Sequence, residues 1–299
     1  MRAFHMNLLK YNANTQFTAG GNPTQKQLAL HREMLNYHNN VLPQGANVNL
    51  AGFTEVLVAD GAAQQNVQQA LNNLGNALGI PAGNNNLGRH IAVIRCGRSV
   101  IQDSNEVVAI VVDGNAVINH FGLLYFTSVG PINWVNQQIN PANNRYTSHL
   151  QIPHGAIPDY RYIVYVNFTL NNNQYSVGFI HNRAPGTGQA TTVMLAIRNL
   201  LEAQNPLITI CGGDFNTPAL AINNAGVGVQ YPPPPNAHHP LWYYSPGNTT
   251  VANAFDYWIS FNQFFNPNQL QQTAVCNCTP NNPNQNLTGS DHRGVGIDI

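Results

Sequence analysis

Ile210-Cys211-Gly212-Gly213-Asp214-Phe215-Asn216 is the stretch on which the reading of this chain turns. An apolar run closing on Asp214 and Asn216 reads as a strand that delivers a carboxylate and an amide from its end. Gly212 and Gly213, having no Cβ, let the backbone bend tightly there. Working outward, the strongest companion is Ser290-Asp291-His292, where a second carboxylate stands beside an imidazole and runs into a closing strand at Gly294–Ile299. Two acids, an amide and a histidine on neighbouring strand ends are the groups that metal-assisted phosphoryl chemistry requires.

Composition limits how such a site could hold its substrate. The chain has 299 residues, 43% of them hydrophobic, enough for a sizeable core, and its length is read as one α/β domain spanning residues 1–299. Only 8% of residues are charged, with 12 Lys+Arg against 12 Asp+Glu. That excludes a broad basic face holding nucleic acid by counterion release, so phosphate recognition must be local. Asn clusters at 84–86, 171–173 and 281–282 mark turns and a polar, uncharged surface. No run of about 18 apolar residues is present, which predicts no membrane span. Met1–Leu9 lacks an uninterrupted apolar core and reads as the first strand rather than a signal peptide.

The periodicities alternate between helix and strand. Helices are predicted over Thr24–His38, Gln64–Leu78 and Gln189–Gln204, and strands over Val48–Val56, His90–Arg95, Glu106–Val112, Leu207–Cys211 and Ala254–Ser260. Tyr160–Thr169 and Tyr175–His181 flank Asn171-Asn172-Asn173 as a hairpin. Residues 113–158 read as scattered aromatics and turns, and Thr217–Asn253 as a long loop holding Pro232–Pro235 and Trp242-Tyr243-Tyr244. Cys96 and Cys211 lie in apolar runs and read as small buried hydrophobes. Cys276 and Cys278 have no zinc spacing with a second pair, and a disulfide from their loop stays open.

In their order along the chain, these motifs resemble the endonuclease/exonuclease/phosphatase superfamily, whose fold is that of deoxyribonuclease I. The resemblance is to the branch of deoxyribonuclease I and the cytolethal distending toxin B subunit. It implies a four-layer α-β-β-α sandwich with two packed mixed sheets and an active site at one sheet edge. It also implies roles for individual residues. Glu55, in Gly52-Phe53-Thr54-Glu55, matches the metal-binding glutamate, although Thr54 stands where Gln is usual. Tyr11-Asn12 matches an aromatic-Asn motif, assigning Asn12 to metal or phosphate, and Asp291 matches a metal-side acid. Such oxygen ligands suit Mg²⁺, with Mn²⁺ or Ca²⁺ as alternatives.

His181, in Gly178-Phe179-Ile180-His181-Asn182, matches the histidine that binds and polarises the scissile phosphate. Asp214 and Asn216 match the pair that positions the nucleophile and the transition-state oxygens. Asp256, in Phe255-Asp256-Tyr257-Trp258, matches the carboxylate orienting a general-base histidine, His292. Arg161 falls where the nuclease branch places a phosphate-binding arginine, which can grip phosphate bidentately. The branch backs its first histidine with a glutamate, but the corresponding Leu87-Gly88-Arg89-His90 has no acid, which leaves the support of His181 open.

The resemblance implies a divalent-metal-dependent phosphodiesterase, first of all a DNA endonuclease, with delivery or secretion as a toxin consistent with that branch. The alternatives are a phospholipid (sphingomyelinase-like) or inositol-phosphate hydrolase of the same fold, which low charge would suit, and a binding module with a lapsed site.

Overall fold

The computed structural model describes residues 1–12, 48–59, 63–77, 89–98, 104–126, 134–139, 145–147, 162–182, 197–201, 203, 207–217, 229–230, 241–244, 255–261, 274–275 and 294–298. The hairpin expected around Asn171 shows how local sequence sets the frame. Strands β8 (Tyr162–Leu170) and β9 (Asn173–His181) pair antiparallel from Tyr162↔His181 to Leu170↔Asn173. Asn171 and Asn172 between them have φ of 51° and 64°. A two-residue turn with both central residues left-handed matches strand twist, and Asn takes that conformation at low cost.

Around this hairpin the described residues form an eight-stranded mixed sheet. It adds β5 (Val117–Phe126), β6 (Trp134–Ile139), β10 (Ile210–Asp214), β11 (Val229–Gln230), β12 (Leu241–Tyr244) and β13 (Asp256–Phe261). The strand order is β11-β12-β13-β10-β9-β8-β5-β6. The second sheet is built from β1 (Arg2–Asn12), β2 (Leu50–Ala59), β3 (Arg89–Arg98), β4 (Ser104–Asp113), β7 (Arg145–Thr147), β14 (Ala274–Val275) and β15 (Val295–Asp298), in the order β14-β15-β1-β2-β4-β3-β7.

Each strand must cover two faces, and the cores sort accordingly. Between the sheets pack Ile94, Val108, Ile110, Phe121, Val164 and Phe179 with their neighbours. On the outer face of the seven-stranded sheet lies helix α1 (Ala63–Ala77). Its Val67, Leu71 and Leu74, at helical spacing, bury against Phe53, Val56, Ile91 and Val93. On the outer face of the other sheet, Ile197, Leu200 and Leu201 of a helical segment pack on Ile163, Ile180 and Tyr257. The result is a four-layer sandwich of helix, two mixed sheets and helix. Burial on both faces explains why Tyr162-Ile163-Val164-Tyr165-Val166 is a continuous apolar run rather than an alternating one. The sheets approach so closely that a Cβ on Gly52 would lie 2.2 Å from the Phe179 ring.

Several elements differ from the sequence reading. Within the stretch 113–158 the described residues include strands β5, β6 and β7, while the turns expected around Pro131, Pro141 and Pro153 lie outside the described residues. In β5 the alternation of Phe121, Leu123 and Tyr125 with Gly122 and His120 dilutes the apolar signal that a sliding reading detects. The expected loop 217–253 carries β11 and β12, so Trp242-Tyr243-Tyr244 belongs to a strand paired with β13. Strand β10 runs through Asp214 rather than stopping at Cys211, which makes that acid the last strand residue. The helix expected at 24–38 lies outside the described residues. Among the described residues no helix is long and apolar enough to cross a membrane.

Candidate active site

The polar residues of the inner faces collect at one end of the inter-sheet core. In the eight-stranded sheet, register places Asp256, Asp214, His181 and Tyr162 as direct partners across β13, β10, β9 and β8. They form one row across four strands. Facing them, β1 alternates strictly: Phe4, Met6 and Leu8 enter the core under α1, while His5 and Asn7 turn toward the other sheet.

Glu55 reaches the row through an irregularity of β2. Two residues, Thr54 and Glu55, separate Phe53 from Val56, whereas their partners Ala109 and Val107 on β4 are separated by Val108 alone. This is a β-bulge, and Glu55 takes the strain with φ of 53°. Its carboxylate is thereby re-aimed, with Oε1 3.0 Å from His181 Nε2.

The other ring nitrogen of His181 meets Glu106 from β4, Nδ1 to Oε1, at 2.9 Å. The Tyr162 hydroxyl donates to that same carboxylate oxygen. Burial works against charge on His181. The charge and hydrogen bond of Glu106, and then those of Glu55, outweigh it and hold the imidazole well above its usual 6.5. Each ring nitrogen of His181 thus meets a carboxylate, an arrangement that favours the imidazolium form.

Asp214 is almost fully buried and heavily hydrogen-bonded. Its Oδ2 accepts from Asn7 Nδ2 at 3.0 Å and from Asn216 Nδ2 at 3.2 Å, and lies 3.9 Å from His181 Nε2. Its Oδ1 accepts from the Asn216 backbone N–H at 2.9 Å. That turn needs Asn216 at φ of 48°, which Asn tolerates. Gly213 beside it is confined to glycine, because a Cβ would sit 2.0 Å from the Ile180 carbonyl oxygen. Asn182 ties the strand ends together, donating from Nδ2 to the Phe215 carbonyl and accepting at its own carbonyl from Asn216. Asp256 is fully buried, with His5 Nδ1 3.8 Å from its Oδ1.

Of the residues expected from sequence, Glu55, His181, Asp214, Asn216 and Asp256 come together at this end of the core. The backbone of Asn12 lies in β1 opposite Leu57, and its side chain is outside the described residues. Arg161, Asp291 and His292 are also outside them. The β1 amide that meets Asp214 belongs to Asn7, and the alternation Phe4-His5-Met6-Asn7-Leu8 was the signal that marks it. The support of His181 left open by the 87–90 stretch comes from Glu106 near the start of β4. Cys96 and Cys211 are free and buried, and burial pushes both thiols up, so neither is a nucleophile.

Among the described residues no three His, Cys, Asp or Glu side chains form a metal cage. The donors present nonetheless fit a hard divalent ion. What bears on that fit is donor chemistry alone: the Glu55 carboxylate, re-aimed by the bulge, is a hard oxygen ligand of the kind that suits Mg²⁺, Mn²⁺ or Ca²⁺.

No protein-family model matches the chain, and no curated protein matches its sequence. Solved structures do. An endonuclease/exonuclease/phosphatase family protein from Leptotrichia buccalis aligns at TM-score 0.55 and 14% identity, over 100% of this chain and 99% of its own. A mannosyl-6-phosphatase from Bacteroides thetaiotaomicron aligns at 0.52 and 15%, over 99% and 98%. The human Nocturnin catalytic domain, with bound sulfate anion, aligns at 0.51 and 12%, over 100% and 93%. With its two packed mixed sheets between helical layers, this chain has the deoxyribonuclease I-like fold of endonuclease/exonuclease/phosphatase proteins.

Proposed function

We propose that this protein is a divalent-metal-dependent phosphodiesterase that cleaves DNA as an endonuclease. The observation that carries the reading is His181, its two ring nitrogens held by Glu55 and Glu106 at 3.0 and 2.9 Å and Nε2 3.9 Å from Asp214, at the end of the inter-sheet core. A fixed positive charge beside buried hydrogen-bonding groups is what stabilises a developing pentacovalent phosphorane.

In the proposed reaction Asp256 orients His292, which takes a proton from water as the oxygen attacks phosphorus. The P–O bond to the leaving oxygen breaks in line, and that oxygen takes up a proton from solvent to leave as the alcohol. Asp214 and Asn216 position the nucleophile and the phosphoryl oxygens. The His181 cation faces the same oxygens, and Arg161 grips the substrate phosphate. Glu55, Asn12 and Asp291 would hold the metal, which when bound polarises the phosphoryl group as a Lewis acid.

The test is digestion of supercoiled plasmid DNA with Mg²⁺ or Mn²⁺, with EDTA and His292→Ala as controls. Metal-dependent nicking that both controls abolish supports the reading. Folded protein that nicks nothing sinks the endonuclease. One observation favours a second substrate class: only 8% of residues are charged. A phospholipid or inositol phosphate needs no basic field, so the same preparation should be assayed on sphingomyelin and on inositol phosphates.

A further inference from the structure

Two residues before Asn7, the inner face of β1 carries His5, fully buried. Its ring lies 24° from parallel with Phe179, centroids 6.4 Å apart. Nε2 is 3.2 Å from the Thr54 hydroxyl, and Nδ1 is 3.8 Å from Asp256 Oδ1, an ion-pair separation rather than a hydrogen bond. One imidazole thus touches both sheets. Thr54 immediately precedes Glu55 at the β2 bulge, and Asp256 opens β13 in the opposite sheet.

Packing alone does not ask for a histidine here. A phenylalanine would stack on Phe179 as well, whereas burying two ring nitrogens costs free energy unless polar groups meet them. The groups that meet them are functional neighbours. In the tautomer whose Nε2 accepts from the Thr54 hydroxyl, the ring proton sits on Nδ1, on the side of the Asp256 carboxylate. Asp214 and Asp256 are direct cross-strand partners, an arrangement in which like charges repel. Strand β1 answers each acid with one side chain, Asn7 to Asp214 and His5 to Asp256.

We propose that His5 is a positioning residue that orients the Asp256 carboxylate and, through Thr54, sets it against the bulge presenting Glu55. His5 does not touch substrate. Its catalytic consequence rests on the phosphodiesterase reading, in which Asp256 orients the general base, but its contact with Asp256 does not.

Two measurements on the full chain test this. In ¹⁵N-histidine-labelled protein, the His5 Nδ1 resonance should report the nearby Asp256 carboxylate and should shift in Asp256→Asn. In kinetics, His5→Phe should lower kcat about 10- to 100-fold with KM changed less than about twofold, the size typical of losing an outer-shell partner. His5→Asn, whose amide can take the Nδ1 place, should recover most of kcat. Met6→Ala, on the opposite face of β1, should lose stability yet keep kcat per folded molecule. A His5 signal indifferent to Asp256→Asn, or His5→Phe at wild-type kcat, overturns the proposal. Should His5→Phe not fold, the resonance and His5→Asn still decide. If wild-type protein cleaves no phosphodiester, the functional reading falls, while the resonance still decides whether His5 holds Asp256.

Discussion

His181 shows how one residue's chemistry is set by its neighbours. Its folded pKa is raised, so its contribution to stability is fully present below the usual 6.5 and is lost as pH climbs through the higher folded value. In EDTA, the stability advantage of wild type over His181→Asn should therefore shrink as pH rises above about 6.5. Denaturant melts at several pH values measure it, and an advantage constant or growing with pH refutes the account. The same cation, with Asp214 beside it, is assigned the transition-state charge. Replacing Asp214 by Ala should lower turnover at least about 10²-fold in folded protein, and unchanged turnover removes the assignment. Glu55 bears the local strain. Because Gly occupies φ of 53° freely, Glu55→Gly should be about 1 kcal/mol more stable than Glu55→Gln, which also lacks the charge but keeps the strained backbone. At this scale Asp214 and Asn216 were legible because Gly213-Asp214-Phe215-Asn216 is contiguous. Glu106 was not, since it lies 75 positions from the histidine it supports and only sheet packing joins them.

Among the elements, β2 does the most to build the site. A regular strand would send Thr54 and Glu55 to opposite faces, and the extra residue breaks that alternation beside His181. The strand is also pressed against the opposite sheet at Gly52. Gly52→Ala should cost about 1–3 kcal/mol by overpacking against Phe179, and Phe179→Leu in the same chain should restore part of it. Thermal melts of the two single variants and the double check both statements; additive losses would show that the contact is not limiting. Helix α1 was legible to within one residue at either end because its apolar stripe is local. Strand β5 was not, because its partners β6 and β8, rather than its own sequence, make it a strand.

The whole molecule is nearly uncharged, with 12 basic and 12 acidic side chains in 299 residues. Long-range attraction to a polyanion is therefore weak, and affinity must come from a few contacts at the sheet edge. If DNA is the substrate, the slope of log kcat/KM against log salt should be shallower than about −3, corresponding to roughly three or fewer neutralised phosphates. A steep slope, like that of a protein with a broad basic face, would contradict this. The four layers place Asn7, Glu106, His181, Asp214 and Asp256 on strands at the inner faces of the two sheets, so the site inherits its rigidity from a core buried on both sides.

By itself the sequence determined the alternating α/β character, the tight Asn171-Asn172 turn, the buried cysteines and the pairing of Asp214 with Asn216, because each is written in adjacent residues or in a local period. Only the tertiary structure decided which asparagine of β1 meets Asp214, which acid supports His181, and that Glu55 rather than Thr54 faces His181. Those outcomes depend on strand register, on one bulge and on the alignment of two sheets, where a shift of a single residue exchanges the side chains of opposite faces.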